Sequence, residues 1–85
     1  MPHLAAAGNT VIPAVLALES LGFTLSSVDL PDAPWMRAIR GEDSFIAPDP
    51  VTLLGLIRLV ELRSWEWSAT DAEIENTLQR SELRL

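Results

Sequence analysis

The segment Phe45-Ile-Ala-Pro-Asp-Pro-Val-Thr-Leu-Leu-Gly-Leu-Ile-Arg-Leu-Val-Glu61 decides the fold, because a short strand runs there straight into an apolar helix. Asp49 can accept bonds from the orphan backbone donors of a helix start, and proline suits the first helical position, so the helix is predicted from Pro50. At about 100° per residue, Leu53, Leu56, Ile57 and Val60 share one face, while Val51, Leu59 and Leu62 occupy much of another. The polar gap is narrow, with Arg58 and Glu61 flanking Leu54. A helix apolar around most of its circumference needs cover from more than one side. Gly55 lowers the stability of such a helix, and close approach of a neighbouring backbone is the expected compensation.

Working outward, residues 35–40 and 43–47 alternate as strands about a Gly41-Glu42 reversal, where glycine suits the first central position of a two-residue hairpin loop. Alternation puts Trp35, Arg37 and Ile39 on one face and Met36, Ala38 and Arg40 on the other, without deciding which is dry. Residues 23–28 begin as an alternating strand, and the Asp29-Leu-Pro-Asp-Ala-Pro34 stretch is a turn-rich connection. Before it, Val11, Val15, Leu18 and Leu21 recur at helical spacing, with Thr10 as candidate cap, Pro13 harmless in the first turn and Gly22 as the stop. After the central helix, Ser64-Trp-Glu-Trp-Ser68 is a connection. Thr70-Asp-Ala-Glu73 reads as a capping box for a last helix whose buried face is marked by Ile74 and Leu78. The prediction is a single α+β domain over residues 1–85 with a loose arm at 1–9. A three-stranded antiparallel meander carries three helices in the order α-β-β-β-α-α, and the Pro50 helix lies between the sheet and the terminal helices.

At 85 residues such a domain buries only about 60–65% of its unfolded surface. Cysteine is absent, so neither disulfides nor thiolate metal sites reinforce it. Twelve acidic residues against six arginines give a net charge of −6, which repels phosphate backbones and anionic lipid and attracts basic partners. Nucleic acid and membrane are therefore not expected partners. No apolar run is long enough to span a bilayer and no cleavable leader is evident, so the cytoplasm is the expected location.

Catalytic parts are missing from the pattern. His3 is the only histidine, and it stands in the terminal arm with no base or ligand set around it, so no metal, cofactor or catalytic residue is assigned. The acids Asp71, Glu73 and Glu75 sit where a helix start favours negative charge. The three tryptophans, Trp35, Trp65 and Trp67, each lie at an element boundary and serve equally well to close a small core or to anchor an interface.

Three stretches, Asn9-Thr-Val-Ile-Pro-Ala-Val-Leu-Ala-Leu-Glu-Ser-Leu-Gly-Phe23, Phe45-Ile-Ala-Pro-Asp-Pro-Val-Thr-Leu-Leu-Gly-Leu56 and Trp67-Ser-Ala-Thr-Asp-Ala-Glu-Ile-Glu75, together resemble small acidic bacterial immunity proteins of polymorphic, contact-delivered toxin systems. The resemblance implies a non-catalytic inhibitor that occludes a basic site on a cognate protein toxin. Asp29, Asp32, Trp35, Glu42 and Asp43 are the first candidate contact patch, and Glu66, Trp67, Asp71, Glu73 and Glu75 the second. The alternative expectation is a homodimeric or accessory subunit without inhibitory role, joined through Leu59 and Leu62 of the Pro50 helix.

Overall fold

A computed structural model describes residues 2–5 and 7–85. After a single 3-10 turn at Gly8–Thr10 come α1 (Val11–Ser20), β1 (Thr24–Asp29), β2 (Pro34–Arg40), β3 (Asp43–Ala47), α2 (Pro50–Arg63) and α3 (Asp71–Leu78). The chain is α+β, with three helices and a three-stranded antiparallel sheet in the order β1-β2-β3, as the hydrophobic pattern predicts. No helix among the described residues is long and apolar enough to cross a membrane.

Local chemistry sets most element ends. Asp49 caps α2 by accepting from the Thr52 amide at 2.8 Å and from the Thr52 hydroxyl at 2.9 Å, with Pro50 at the first helical position. These bonds hold the Asp49 carboxyl below its ordinary pKa. Gly22, at φ +93°, ends α1 in a left-handed turn. Its N–H donates to the Glu19 carbonyl and that of Phe23 to the Leu18 carbonyl, so the backbone pattern stacks Phe23 on Leu18 in the core. Gly41, at φ +61°, takes the first central position of the β2–β3 turn. Thr70 and Glu73 close both bonds of the capping box that opens α3.

Thr10 is not a cap. Its backbone is already helical, and its hydroxyl donates to the Ala7 carbonyl at 2.7 Å, closing the 3-10 turn ahead of α1. Among the described residues, regular secondary structure therefore starts at Gly8, inside the stretch predicted as a loose arm. Residues 2–5 have no regular structure and are exposed, and the remainder of that arm prediction, at Met1 and Ala6, lies outside the described residues.

Both α1 and α2 pack on one face of the sheet, α1 against β1 and α2 across β3 and β2. The dry face is the one carrying Met36 and Ala38. Ala38 is fully buried opposite Leu25 and Phe45, where a small side chain lets α2 bring Leu53 and Ile57 down onto the strands. The core is Leu18, Phe23, Ala38, Ala47, Leu53 and Ile57, bordered by Leu25, Met36, Phe45, Leu54 and Leu56. Leu18 and Leu53 are its largest fully buried side chains, each contributing about 1.5–3 kcal/mol by burial. Arg40, at the end of β2, lies with its guanidinium carbon 4.4 Å from the Phe23 ring centroid and donates to the Leu21 carbonyl at 2.8 Å. The C-terminal end of α1 is thereby fastened to the sheet.

Two expectations about α2 and α3 fail. A side chain at Gly55 would meet nothing within 4 Å, so no neighbouring backbone approaches it. Ile74 and Leu78 are not a buried face: they are 46% and 62% exposed, and α3 contains no buried residue. The last helix stands off the body instead of covering α2, and the radius of gyration of 15.3 Å exceeds the roughly 12 Å of a compact chain this long. Helical spacing says which side of a helix needs cover, and here the chain does not supply it.

Candidate protein-binding surface

The aromatic residues of the dry face form a ladder that runs from the core to solvent. Phe23 is buried, Phe45 meets it edge-on at 6.0 Å between centroids, and Trp65 stacks on Phe45 at 5.3 Å with 17° between planes. Trp65 nevertheless remains 57% exposed, and Trp67 is 46% exposed. Together with Phe45, Leu56, Leu59 and Val60 they line a hollow of about 190 Å³ at the outer edge of β3. Its lining is almost wholly apolar, and the acids nearest in sequence are Asp43 at the start of β3, Glu61 on α2 and Glu66 between the two tryptophans. Glu61 is paired with Arg58 at 3.2 Å, whereas Asp43 and Glu66 have no ion pair among the described residues.

The connection that carries the tryptophans is held at both ends. Ser64 leaves α2 at φ +63° and ψ −173°, a region that suits glycine, and its hydroxyl accepts from the Glu66 amide at 3.3 Å. Arg63, the last residue of α2, then gathers the segment. Its Nε donates to the Trp67 carbonyl at 2.9 Å, its Nη2 to the Ser68 carbonyl at 3.4 Å, and its guanidinium straddles the Glu73 carboxylate at 3.0 and 3.4 Å. Glu73 Oε1 also accepts from the Thr70 amide at 2.9 Å. The Arg63 hydrogen bonds, followed by the Thr70 amide and the Arg63 charge, bring the Glu73 carboxyl down to about 2.

The ten acidic and aromatic residues singled out in the sequence fall into four places. Asp29, Asp32 and Trp35 lie near the β1–β2 connection, while Glu42 and Asp43 lie at the β2–β3 turn. With β2 between them, about 20 Å of strand separates the two groups, so the first predicted patch is divided. Trp35 is half-buried on the sheet face away from the helices, where it pairs with Val28. Trp67 does line the hollow, and Glu66 precedes it in the connection. Glu73 is committed to Arg63, which removes it from the available acids, and Asp71 and Glu75 lie exposed on α3.

The spacing offers Leu59 and Trp65 as interface residues, but it does not single out Ser44, Phe45, Ile46, Leu56 and Val60 as the rest of the wall, nor Arg63 as the residue that positions the loop.

A second hollow of about 490 Å³ lies between α1 and α2 beneath Leu4, lined by small and apolar residues such as Pro13, Ala14, Ala17, Val51 and Leu54. It carries no charged side chain and no aromatic anchor. Among the described residues no three His, Cys, Asp or Glu side chains converge as a metal site. Comparison with family models, with curated proteins and with solved structures finds no match.

Proposed function

We propose that this chain is a non-catalytic protein-binding module of the immunity type, which neutralises a cognate bacterial toxin in the cytoplasm by occluding a basic site. The observation that carries the reading is the pair Trp65 and Trp67, held out at the edge of β3 over an apolar hollow, with Asp43 and Glu66 adjacent in sequence to its lining residues Ser44, Trp65 and Trp67. Aromatic anchors at a concave apolar site are where binding energy concentrates, and flanking acids select a cationic partner and speed its approach. The net charge of −6 acts in the same direction at longer range and opposes binding to nucleic acid or an anionic membrane.

Binding to the protein encoded by the adjacent gene tests this. Trp65→Ala and Trp67→Ala are each expected to weaken binding at least tenfold, which is about 1.4 kcal/mol. Glu66→Lys should mainly slow association and reduce its salt dependence. Absence of binding at micromolar concentration, or full affinity in both tryptophan variants, removes the proposal. Leu62 supports a second reading, a homodimeric or accessory subunit with no inhibitory role. It is 69% exposed on α2 beside Leu59, which already lines the hollow. Such a dimer and a toxin would compete for the same ground, so saturation with the partner should then dissociate it.

A further inference from the structure

A three-stranded sheet with helices on one side leaves its other side open, and here that side mixes large apolar residues with small hydroxyl residues around a single charge. Pairing brings Thr24, Ile39 and Ser44 into one row, Ser26, Arg37 and Ile46 into the next, and Val28 with Trp35 into the third. Ile39 and Ile46 are exposed and Trp35 and Val28 half-buried. Arg37 is the only charged residue of the three rows and has no ion pair among the described residues.

The chain also contains a helix whose surface is the counterpart of that face. At about 100° per residue, Ile74 and Leu78 form a stripe on α3 with Asp71 and Glu75 along one border. Neither Asp71 nor Glu75 has an ion pair among the described residues, and Arg63 is taken by Glu73 on the other border. An eight-residue helix is far below the length that sustains itself in water, and among the described residues its stripe stays largely exposed, with only Ala69 and Leu85 beside it.

We propose that α3 docks on the open sheet face of a second copy of this chain, with its Asp71–Glu75 border against Arg37, and that the contact is reciprocal about a two-fold axis. Charge selects this arrangement over its competitors. Stacking the two open sheets face to face would bring Arg37 against its own counterpart at the centre of an apolar interface. Docking α3 on the exposed Ile12 and Leu16 of α1 would offer its acids only Glu19, the one charged residue of that helix. The sheet face presents Val28, Trp35, Ile39 and Ile46 around Arg37, a cation with no ion pair among the described residues. Each of the two equivalent contacts has to bury about half of the roughly 1,000 Å² that a specific interface needs.

The experiment is sedimentation equilibrium of the full chain at 0.15 M salt from about 1 to 300 μM, a salt at which charges beyond about 8 Å are screened. The wild-type chain is expected to dimerise. Arg37→Glu and Glu75→Arg, both at exposed positions, are each expected to weaken self-association at least tenfold. Mixing the two variants restores it, since Glu at position 37 then meets Arg at position 75 and the native pair re-forms at the other contact. Circular dichroism of each variant confirms folding. A monomer across the whole range overturns the proposal. So does a dimer indifferent to both charge changes, as one built on Leu62 would be, and so does a mixture that stays monomeric. The toxin-binding proposal stands or falls separately, on Trp65 and Trp67.

Discussion

Gly55→Ala provides a direct measure of how α2 is surrounded. Gly55 is the sixth of the fourteen residues of α2, exposed, with open space where a Cβ would be placed. An alanine there meets no steric penalty, and the helix gains the propensity difference between the two residues, about 0.8–1 kcal/mol. For an 85-residue chain, the usual unfolding entropy of about 2.1 cal/mol/K per residue sums to roughly 0.18 kcal/mol/K, so Tm should rise by about 5 °C. Urea unfolding followed by circular dichroism should show a higher midpoint with the slope unchanged, since no burial is altered. A fall in Tm of 2 °C or more would refute the reasoning, because it would mean that another backbone does lie against Gly55. Repeating the melt across a hundredfold range of concentration identifies whose it is: a penalty that grows with concentration places a second copy there. Loss of toxin binding with the Tm gain intact would instead mark Gly55 as the partner's point of approach.

Ser64→Gly should also stabilise the chain. It relieves a positive-φ strain of about 1–3 kcal/mol, offset by about 0.5–1 kcal/mol of added chain entropy and by the weak bond from the Glu66 amide, for a net gain near 0.5–1 kcal/mol. Ser64→Ala keeps the strain and loses the hydroxyl, so its melting point should drop, and the opposite order of the two variants would contradict a strained exit from α2. Acid should loosen α3 before it unfolds the body. The folded Glu73 carboxyl titrates near 2, below its ordinary 4.5, so its contribution is complete above about 4.5 and is lost as pH falls towards 2. Carboxyl NMR of Glu73 reads the midpoint, a value near 4.5 would show the Arg63 clamp to be open in solution, and Glu73→Gln should abolish the effect.

Features whose chemistry closes within a few residues were legible in the sequence. Asp49 with Thr52, the Thr70–Glu73 capping box, Gly22 and the Gly41 turn all follow from rules about nearest neighbours along the chain, and together they fix the order of elements. What remained illegible is long-range. Arg63 finds Glu73 ten residues on, Arg40 finds the Leu21 carbonyl nineteen residues back, and Trp65 stacks on Phe45 twenty residues away. Nothing in the local pattern names those partners. The divided acidic patch has the same origin, since Asp32 and Glu42 are close in number only because a whole strand lies between them. Gly55 and the Ile74–Leu78 stripe mark the opposite limit. A residue type reports what surroundings it favours, and the structure shows the chain leaving both without them.

That surplus of uncovered apolar surface connects the two proposals. Seven hydrophobic residues are buried, while Ile12, Leu16, Leu62, Trp65, Ile74 and Leu78 among others are not. An 85-residue chain has too little volume to enclose them all, and without cysteine it has no disulfide to offset the shortfall. Uncharged, such a surface would aggregate. Twelve acids prevent that by general repulsion, and where they stand beside an apolar patch they also restrict what may cover it. At the hollow below Trp65 and Trp67 the neighbouring acids Asp43 and Glu66 have no ion pair among the described residues, which fits the cationic partner proposed for it. On α3 the acids border a stripe whose matching cation, Arg37, lies on the same chain at a sheet face α3 does not occupy. One rule of charge therefore underlies both proposals, a foreign basic protein at the hollow and a second copy at the sheet.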